Sequence, residues 1–402
     1  MNPSEPTVPA TAPGTAAGAA SGAASDTAAS AAAGAASAPA AGTASGAAPG
    51  GPAAFLRLAR VKFLFQSMMV TGFGVTLAVH ATGGFSLAWY LLTLGFAWST
   101  HLMTHFCNEY FDLEADRANP SPTSWTGGSR TLVDGLLSPT VSLASAFVTL
   151  FVGIGLTAMM PTLPTRLLAV SLMALAWFYT APPLRLNYRA LGEVTCAAVL
   201  YGMGPLLAAL LQSGQLSPLL LWCTALVCVL QVLRCLIMNL ADIEGDRLVG
   251  KNTLASALGP ARLTRLYASG QASLYAAVLA LAAAGELPPL VAVAQLACVP
   301  VGLHVLRALY TGAMADRRRA EGVTFWASMQ LPLTTCGTMV ALLADLALRG
   351  TPAPAEWVAV AAGTTVLFAG WLARTALAAR RRSAEQRTAE PAPAVGGRAE
   401  QA

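Results

Sequence analysis

The chain has 402 residues, of which 55% are hydrophobic and only 11% charged, and its mean hydropathy is +0.58. Charged residues make up roughly a quarter of an ordinary soluble domain, so the composition excludes that class and indicates a membrane protein with several spans. The formal net charge of +5 rests on arginine, because lysine occurs only at Lys62 and Lys251, and it is spread along the chain. This distribution excludes a nucleic-acid-binding protein.

Residues 1–52 consist almost entirely of Ala, Gly, Ser, Thr and Pro and contain no Lys or Arg. Such a segment cannot bury enough apolar surface to offset the entropy lost on ordering, so we predict a disordered tail. The segment also lacks the basic start and the Leu-rich centre of a signal peptide. The first hydrophobic span is therefore expected to be retained as a helix.

From residue 57 onward, apolar windows of the roughly 20 residues needed to cross a bilayer recur between short polar loops. They are too long and continuous for barrel strands, so we predict an all-α, polytopic transmembrane helical bundle of about nine or ten helices. Residues 53–350 form the main domain, 351–380 an extra transmembrane helix, and 381–402 a disordered cytoplasmic tail. The predicted spans are 60–81, 86–110, 139–160, 165–181, 191–212, 217–241, 262–284, 288–311, 323–347 and 355–378.

Basic residues concentrate in alternate loops, and the opposite loops hold only Arg166 and Arg349. Cytoplasmic loops carry the excess of Lys and Arg in membrane proteins. We therefore expect a plasma-membrane protein whose N-terminus lies in the cytoplasm, with the loops after the second and sixth spans on the same side.

Those two loops begin with matching acidic hexads, "DLEADR" at residues 112–117 and "DIEGDR" at residues 242–247. Within each hexad the outer carboxylates are four residues apart, so on a helix continuing from the membrane they share one face. Asn108 and Asn239 precede the first aspartates by four and three residues, whereas Glu114 and Glu244 point elsewhere. An oxygen-only cluster of this kind suits Mg²⁺, with phosphate oxygens filling the remaining positions. The four aspartates concerned are Asp112, Asp116, Asp242 and Asp246.

Polar capping of helix ends explains one acidic end but not two matched ones. Two like-charged clusters facing the same surface repel each other unless cations and an anionic ligand lie between them. A diphosphate bridged by Mg²⁺ meets that requirement.

Four ordered stretches resemble the UbiA superfamily of intramembrane prenyltransferases: "NEYFDLEAD", "GGSRTLVDGLLSP", "YTAPPLRLNYRALGEV" and "NLADIEGDRLVGKNTLASALG". The resemblance covers roughly residues 57–348. The stretches "RTLVDGLLSP" and "GKNTLA" are most similar to the MenA branch, which prenylates 1,4-dihydroxy-2-naphthoate on the way to menaquinone. The chain departs from that branch at His105, Glu109, Arg234 and Met238.

The resemblance implies Mg²⁺-dependent transfer of a prenyl group from a prenyl diphosphate to an aromatic acceptor, in the lipid bilayer and without nucleic acid. It implies two Mg²⁺ ions, held by Asn108, Asp112 and Asp116 on one side and by Asn239, Asp242 and Asp246 on the other. Tyr179 is a candidate to stabilise the allylic cation or to contact the acceptor, and an interfacial aromatic residue is the alternative. The candidate substrate-binding cations are Arg130, Arg185, Arg189, Arg234, Arg247 and Lys251.

Two residues inside the spans leave alternatives open. His105 and His101 are four residues apart, but no third ligand stands nearby in sequence, which disfavours zinc and leaves a cavity-facing role for His105. Arg234 lies well inside the sixth span and is a functional candidate, with snorkelling or pairing inside the bundle as the alternative.

Two other classes of membrane protein are alternatives. A cation-coupled transporter places its carboxylates near the bilayer midplane rather than at helix ends beside basic loops. A membrane terpene cyclase would use the same ionisation step and quench the cation within the prenyl chain. The acceptor and the prenyl chain length therefore stay open at this point.

Overall fold

The computed structural model describes residues 50–119, 122 and 127–389, and within these residues the chain forms helices and no strand. Most of the predicted N-terminal tail and the end of the predicted C-terminal tail lie outside the described residues. Ten long helices follow one another in the order of the predicted spans. They are α1 (Val61–Thr82), α2 (Leu87–Phe111), α3 (Pro139–Ala158), α4 (Leu163–Phe178), α5 (Gly192–Ser213), α6 (Pro218–Leu240), α7 (Leu254–Ala283), α8 (Pro289–Tyr310), α9 (Arg317–Leu348) and α10 (Ala355–Ala389).

Within the described part of the chain, 8 helices are long and apolar enough to cross a membrane. The other two, α2 and α4, occupy the second and fourth predicted windows. Helix α4 is shorter, and α2 is more polar because it carries two histidines, an asparagine and a glutamate. The prediction of a polytopic helical bundle is confirmed.

Two helices begin earlier than their apolar windows. Helix α7 begins at Leu254, where the side chain of Thr253 accepts a hydrogen bond from the backbone N–H of Ser256, and it is kinked at Gly259. The Asp316 side chain caps α9 in the same way. A hydropathy window detects only the apolar part of a helix, whereas capping residues determine where the helix begins. Helix α10 similarly continues to Ala389, beyond the boundary predicted at 380.

The interior of the bundle is built on α1, α6 and α9, whose apolar windows are the most buried, whereas α3, α7 and α10 are mostly exposed. The exposed faces are apolar, as Phe151 on α3 and Val366 on α10 illustrate. An apolar exterior of this extent is expected of helices that face lipid rather than water. These observations identify an integral membrane protein.

Neither hexad continues its membrane helix without a break, so the expectation of one continuous helix is wrong. Helix α2 ends at Phe111, and Asp112 (φ −99°, ψ 7°) separates it from a short helix, Leu113–Ala118. Asp242 (φ −102°, ψ 0°) likewise precedes a short helix, Ile243–Leu248. The backbone N–H of the fifth residue of each hexad nevertheless donates to the carbonyl of the first at 2.9 Å. The two aspartates of a hexad therefore remain one helical turn apart.

Helices α1 and α5 cross closely at Gly74. A Cβ atom at this position would lie 2.3 Å from the carbonyl oxygen of Pro205. Neither backbone can move aside easily, because both helices are packed in the interior. The crossing therefore requires the absence of a side chain at Gly74.

We predict that Gly74→Ala lowers the free energy of unfolding by about 1–3 kcal/mol, the usual cost of overpacking a tight interior. The matched control is Gly155→Ala on α3, because a Cβ there would have nothing within 4 Å. Thermal unfolding in detergent measures both. Alanine is the better helix former by about 0.5–1 kcal/mol, so the control should be unchanged or slightly more stable. Equal melting temperatures for the two variants would contradict the close crossing.

Candidate active site at the two acidic hexads

The two hexads meet at one end of the bundle through their short helices, which pack against each other. Their approach is close because Gly245 has no side chain: a Cβ there would lie 2.9 Å from the Cα of Asn119. Asn119 Nδ2 donates to Asp242 Oδ1 at 2.8 Å. The end of the first hexad helix is thus joined to the start of the second.

Lys251 lies between the two acidic clusters. Its Nζ is 3.3 Å from Asp112 Oδ2 and 3.3 Å from Asp246 Oδ1, so one ammonium group pairs with a carboxylate of each hexad. Burial opposes the charge of Lys251, but Asp112 and Asp246 outweigh it and raise the pKa above its usual value. Lys251 is therefore a permanent positive charge between the two hexads, where the repulsion between the carboxylates requires cations.

Asp112 is the most completely held carboxylate of the site. Asn108 Nδ2 donates to its Oδ2 at 2.6 Å, and Asn187 Nδ2 lies 3.1 Å from the same oxygen. Asn187 reaches this position from the loop between α4 and α5, where Gly192 allows the backbone to pack: a Cβ there would lie 2.9 Å from Asn187 Cα. Asp112 is buried and its orientation is fixed by neutral donors and Lys251.

Asp116 is in a different environment, because no ion pair forms with it among the described residues. Burial raises the pKa of Asp116 to about 7; Asp112 and Glu109 contribute to the rise, and Arg60 opposes it. The backbone of Gly128 covers the carboxylate so closely that a Cβ would lie 2.0 Å from Oδ2. The negative charge of Asp116 is thus offset by no ion pair within the described residues.

Glu109 and Arg60 hold the segment that covers Asp116. Arg60 pairs with Glu109, whose side chain is buried, and Glu109 accepts hydrogen bonds from the backbone N–H of Ser129 at 2.6 Å and from its hydroxyl at 2.7 Å. Arg130, the next residue, donates to the backbone carbonyl of Asp116. The buried ion pair therefore fixes the chain over the first hexad.

The second hexad is supported by Glu193, at the start of α5. Its Oε1 accepts from Asn239 Nδ2 at 2.9 Å and from the backbone N–H of Ala255 at 3.3 Å. Asp246 Oδ2 is buried without a hydrogen-bond partner, and burial raises the pKa of Asp246 although Lys251 opposes the shift. This cluster also has an uncompensated carboxylate oxygen.

The hexads adjoin a cavity of about 280 Å³. Along α2 its lining extends from Thr93 to Asn108, a distance of roughly 22 Å at 1.5 Å per residue. Asp116, Asp242 and Lys251 line the hexad end. Farther in, the lining becomes largely apolar, with Val70, Phe96, Leu172, Val199 and Leu207.

The structure brings some of the predicted site residues to this cavity and leaves others outside its lining. Arg185 stacks its guanidinium 3.7 Å from the ring of Tyr188, while Arg189 and Arg247 are exposed and donate to backbone carbonyls. Asp246 does not line the cavity itself, but it pairs with Lys251, which does. The predicted residues in the lining are His105, Asn108, Asp112, Asp116, Tyr179, Arg234, Asn239, Asp242 and Lys251; those outside it are Arg130, Arg185, Arg189, Asp246 and Arg247.

Arg234 lines the cavity about two helical turns before Asp242 along α6. Its Nε donates to Ser328 Oγ at 3.3 Å and its Nη1 to Gln231 Oε1 at 3.4 Å. Both partners are neutral, and Arg234 makes no ion pair with any carboxylate in the described part of the chain. The guanidinium is therefore a charge within the bundle that lacks an anionic partner from the protein.

Sequence reasoning missed Arg60, Asn119, Asn187 and Glu193 as parts of the site. Asn187 and Glu193 lie within the quoted stretch "YTAPPLRLNYRALGEV", and a glutamate at the very start of an apolar span was a signal for a buried partner. Asn119 and Arg60 carried no such signal, because only the packing of the hexad helices and of the segment before α1 brings them in.

The donor set fits Mg²⁺ bound together with an oxygen-rich ligand. No three His, Cys, Asp or Glu side chains cluster closely enough to hold an ion in the described ranges. Each hexad instead offers hard carboxylate oxygens, two of which, on Asp116 and Asp246, lack compensating partners. Mg²⁺ typically takes one or two carboxylates and fills its remaining positions with water and phosphate oxygens. The site is therefore suited to an ion that arrives with a phosphorylated ligand.

We predict that Asp116→Asn stabilises the metal-free protein above pH 7. The folded protein holds the proton of Asp116 up to about pH 7, whereas the unfolded chain loses it near the usual value of 3.8. Between these values the folded state binds more protons, so the free energy of unfolding falls as the pH rises. Asparagine is neutral throughout and removes that fall.

Melting temperatures in detergent with EDTA, at pH 5 and pH 8, test this prediction. Relative to the unmodified protein, Asp116→Asn should gain stability at both pH values, and clearly more at pH 8 than at pH 5, because pH 8 lies above both pKa values and pH 5 lies between them. Glu114→Gln, an exposed carboxylate on the same short helix, is the control and should show no such dependence. A difference of the same size at both pH values would contradict the raised pKa.

Comparison with solved structures shows the same fold in UbiA homologs. An apo UbiA homolog from Aeropyrum pernix K1 matches with a TM-score of 0.55 and 20% identity, over 70% of this chain and 98% of that chain. A UbiA homolog from Archaeoglobus fulgidus bound to DMAPP and Mg²⁺ gives 0.52 and 14%, over 71% and 99%. The same homolog bound to GPP and Mg²⁺ gives 0.51 and 13%, over 71% and 99%.

Among curated sequences, no protein matches the chain. The family model described as the UbiA prenyltransferase family matches residues 67–329. That range runs from α1 into α9 and includes both hexads, Lys251 and most of the residues that line the cavity beside them. The chain therefore belongs to the UbiA prenyltransferase family and is an integral membrane prenyltransferase.

Proposed function

We propose that the protein transfers a prenyl group from a prenyl diphosphate to an aromatic acceptor in a Mg²⁺-dependent reaction. The observation that carries the proposal is the meeting of two carboxylate pairs at one end of a cavity whose far lining is apolar. A prenyl diphosphate has a charged head and a long apolar tail, so the polarity of the substrate matches that of the cavity from one end to the other.

Both hexads contribute ligands for the diphosphate end of the substrate. Asp112 and Asp116, with Asn108, face it from one side, and Asp242 and Asp246, with Asn239, from the other. Two Mg²⁺ ions bound there would act as Lewis acids that stabilise the leaving diphosphate. The A. fulgidus homolog bound to Mg²⁺ and to GPP or DMAPP supports this assignment.

Lys251 is the cation that we assign to the diphosphate, because it already lies between the hexads and lines the cavity. Arg130 is a second candidate, because it lies beside the first hexad and donates to the backbone carbonyl of Asp116. Arg185, Arg189 and Arg247 are better explained by the excess of basic residues in cytoplasmic loops. On the same ground we place the hexads at the cytoplasmic face of the plasma membrane, with the N-terminus in the cytoplasm.

The acceptor that we propose is a hydroxylated aromatic acid, with 1,4-dihydroxy-2-naphthoate, an intermediate of menaquinone biosynthesis, as the first choice. The motif resemblance of "RTLVDGLLSP" and "GKNTLA" supports that choice. Arg234 supports the acid, since an interior guanidinium without a carboxylate partner favours an anionic ligand. Tyr179 also lines the cavity, and we assign it contact with the ring or the allylic cation.

The direct test incubates membranes containing the protein with Mg²⁺, labelled prenyl diphosphates of several chain lengths and a panel of hydroxylated aromatic acids, and identifies the lipid product. We expect a prenylated aromatic product that EDTA abolishes. A cyclised prenyl product formed without any acceptor would instead identify a membrane terpene cyclase.

We predict that Asp112→Ala and Asp242→Ala each reduce prenyl transfer by about a hundredfold or more, because each removes an inward carboxylate worth several kcal/mol of leaving-group stabilisation. Glu114→Ala and Glu244→Ala are matched controls, since both glutamates lie in the same hexads but are exposed. Product formation at limiting Mg²⁺ is the measurement. Equal activity in the aspartate and glutamate variants would rule out the two-cluster site.

We predict that Arg234→Leu raises the KM for the aromatic acid at least tenfold and leaves the KM for the prenyl diphosphate nearly unchanged. Loss of a charge-assisted contact in a low-dielectric cavity weakens ground-state binding of the anion only. An acceptor analogue that carries an amide in place of the carboxylate should bind equally well to the unmodified protein and to the Arg234→Leu variant. If the acid and the amide respond alike to the substitution, Arg234 does not bind the carboxylate.

A further inference from the structure

Two histidines lie on one face of α2 inside the cavity, between the acidic end and the apolar end. His101 and His105 are one helical turn apart, and their ring centroids are separated by 4.4 Å. Both line the cavity. His105 precedes Asn108 by three residues and Asp112 by seven, so the pair begins about one turn deeper than Asn108 and about two turns deeper than the first hexad. This is the level at which the reacting ring of an acceptor must meet a prenyl group whose diphosphate lies at the hexads.

The hydrogen bond of His105 identifies which ring nitrogen carries the proton. Its Nδ1 lies 3.0 Å from the carbonyl oxygen of Ala59. A carbonyl oxygen can only accept, so Nδ1 is the donor, and in a neutral imidazole Nε2 then has a free lone pair. Within the described residues, Nε2 has no hydrogen-bonding partner from the protein. Its lone pair is therefore available to a molecule bound in the cavity.

Neighbouring rings hold His105 in this orientation. Phe63 meets the imidazole edge-on, with centroids 5.9 Å apart and an interplanar angle of 71°. The ring of His101 is the second ring in contact with His105, and His101 Nδ1 lies 2.6 Å from Ser67 Oγ. Arg234 lines the same cavity as His101 and His105, so the histidine pair and the proposed carboxylate-binding group share one space.

The reaction proposed above needs a proton acceptor at this level. Alkylation of a hydroxylated ring is faster when the ring hydroxyl has lost its proton, because the phenolate is more electron-rich. At the hexads, Asp112 and Asp242 already accept hydrogen bonds from asparagines, and Lys251 pairs with Asp112 and Asp246. A neutral imidazole with a free ring nitrogen, as at His105, is a common proton acceptor in general base catalysis.

We propose that His105 is the general base of the transfer, a role that rests on the proposed function. Its Nε2 accepts the proton of the acceptor hydroxyl and leaves a phenolate. The bond between the prenyl carbon and the diphosphate oxygen breaks, and its electron pair leaves with the diphosphate. An electron pair of the phenolate ring forms the new carbon–carbon bond, and the ring hydrogen at that carbon then moves to the oxygen. The net products are the prenylated phenol, diphosphate and one proton on His105.

The test uses His105→Gln in the full-length protein in membranes, with a series of acceptors that differ in the pKa of the reacting hydroxyl. Glutamine can still donate to the carbonyl of Ala59 but cannot act as the base. We expect kcat to fall about 10²–10⁴-fold for acceptors whose hydroxyl is protonated at the assay pH. For fluorinated acceptors that are already ionised, kcat should approach that of the unmodified protein.

His304→Gln is the matched control, because His304 is exposed on α8 and does not line the cavity. It should leave kcat unchanged across the series. A merely structural role for His105 would give the same loss with every acceptor, and either that result or an unchanged kcat would overturn the proposal.

Two further measurements keep the outcome decisive. If His105→Gln does not insert, His105→Asn and the solvent deuterium isotope effect on the unmodified protein replace it. The isotope effect should be present with protonated acceptors and absent with ionised ones, and its absence throughout would also overturn the proposal. Failure of the proposed function is distinguishable, since the unmodified protein would then prenylate none of the acceptors.

Discussion

The structure depends on keeping several carboxylates together in a partly buried corner at the end of a membrane bundle. Burial, together with the charges of Asp112 and Glu109, raises the pKa of Asp116 to about 7, which shows how unfavourable a further negative charge is there. Lys251 offsets part of this cost by pairing with one carboxylate from each hexad. Much of the surrounding architecture, from the Arg60 and Glu109 pair to the asparagines around Asp112, positions groups about that corner.

A residual negative charge is useful for the proposed chemistry. If every carboxylate were paired, a divalent cation would have to displace protein partners before it could bind, and that displacement would weaken its affinity. Asp116 and the free oxygen of Asp246 are held without such partners. The protein thus gives up some stability in the ligand-free state in order to keep oxygen ligands available, a common feature of functional sites.

The fold could be predicted from the sequence because the bilayer requires apolar helices of a fixed length, and each of the ten windows contains one. The aspartates and Lys251 could also be predicted as a site, since matched spacing and charge are visible in the chain itself. The breaks in the helices at Asp112 and Asp242 could not be predicted, because tertiary packing determines the backbone conformation at a helix end. Asn119 and Asn187 were missed for a related reason: neutral side chains in loops give no signal until folding brings them to a carboxylate.

Basic residues show the limit of such reasoning most clearly. Arginines that orient a membrane protein and arginines that bind a phosphate occur in the same loops, so composition alone cannot separate them. The structure places Arg189 and Arg247 at the surface, whereas Lys251 and Arg60 are in the cavity lining. The deeper Arg234 stood out in the sequence because it interrupts an apolar span, where an unpaired charge is costly.

Helices α2 and α6 each carry a hexad at one end and a polar group about two turns deeper, His105 before Asp112 and Arg234 before Asp242. A helix is stiff over two turns, so the group at the diphosphate end and the group at the acceptor level on one helix keep a nearly constant separation. In the proposed reaction the two helices therefore repeat one arrangement: the asparagine and aspartates near each helix end lie at the level of the diphosphate, and His105 and Arg234 lie about two turns deeper, at the level of the acceptor.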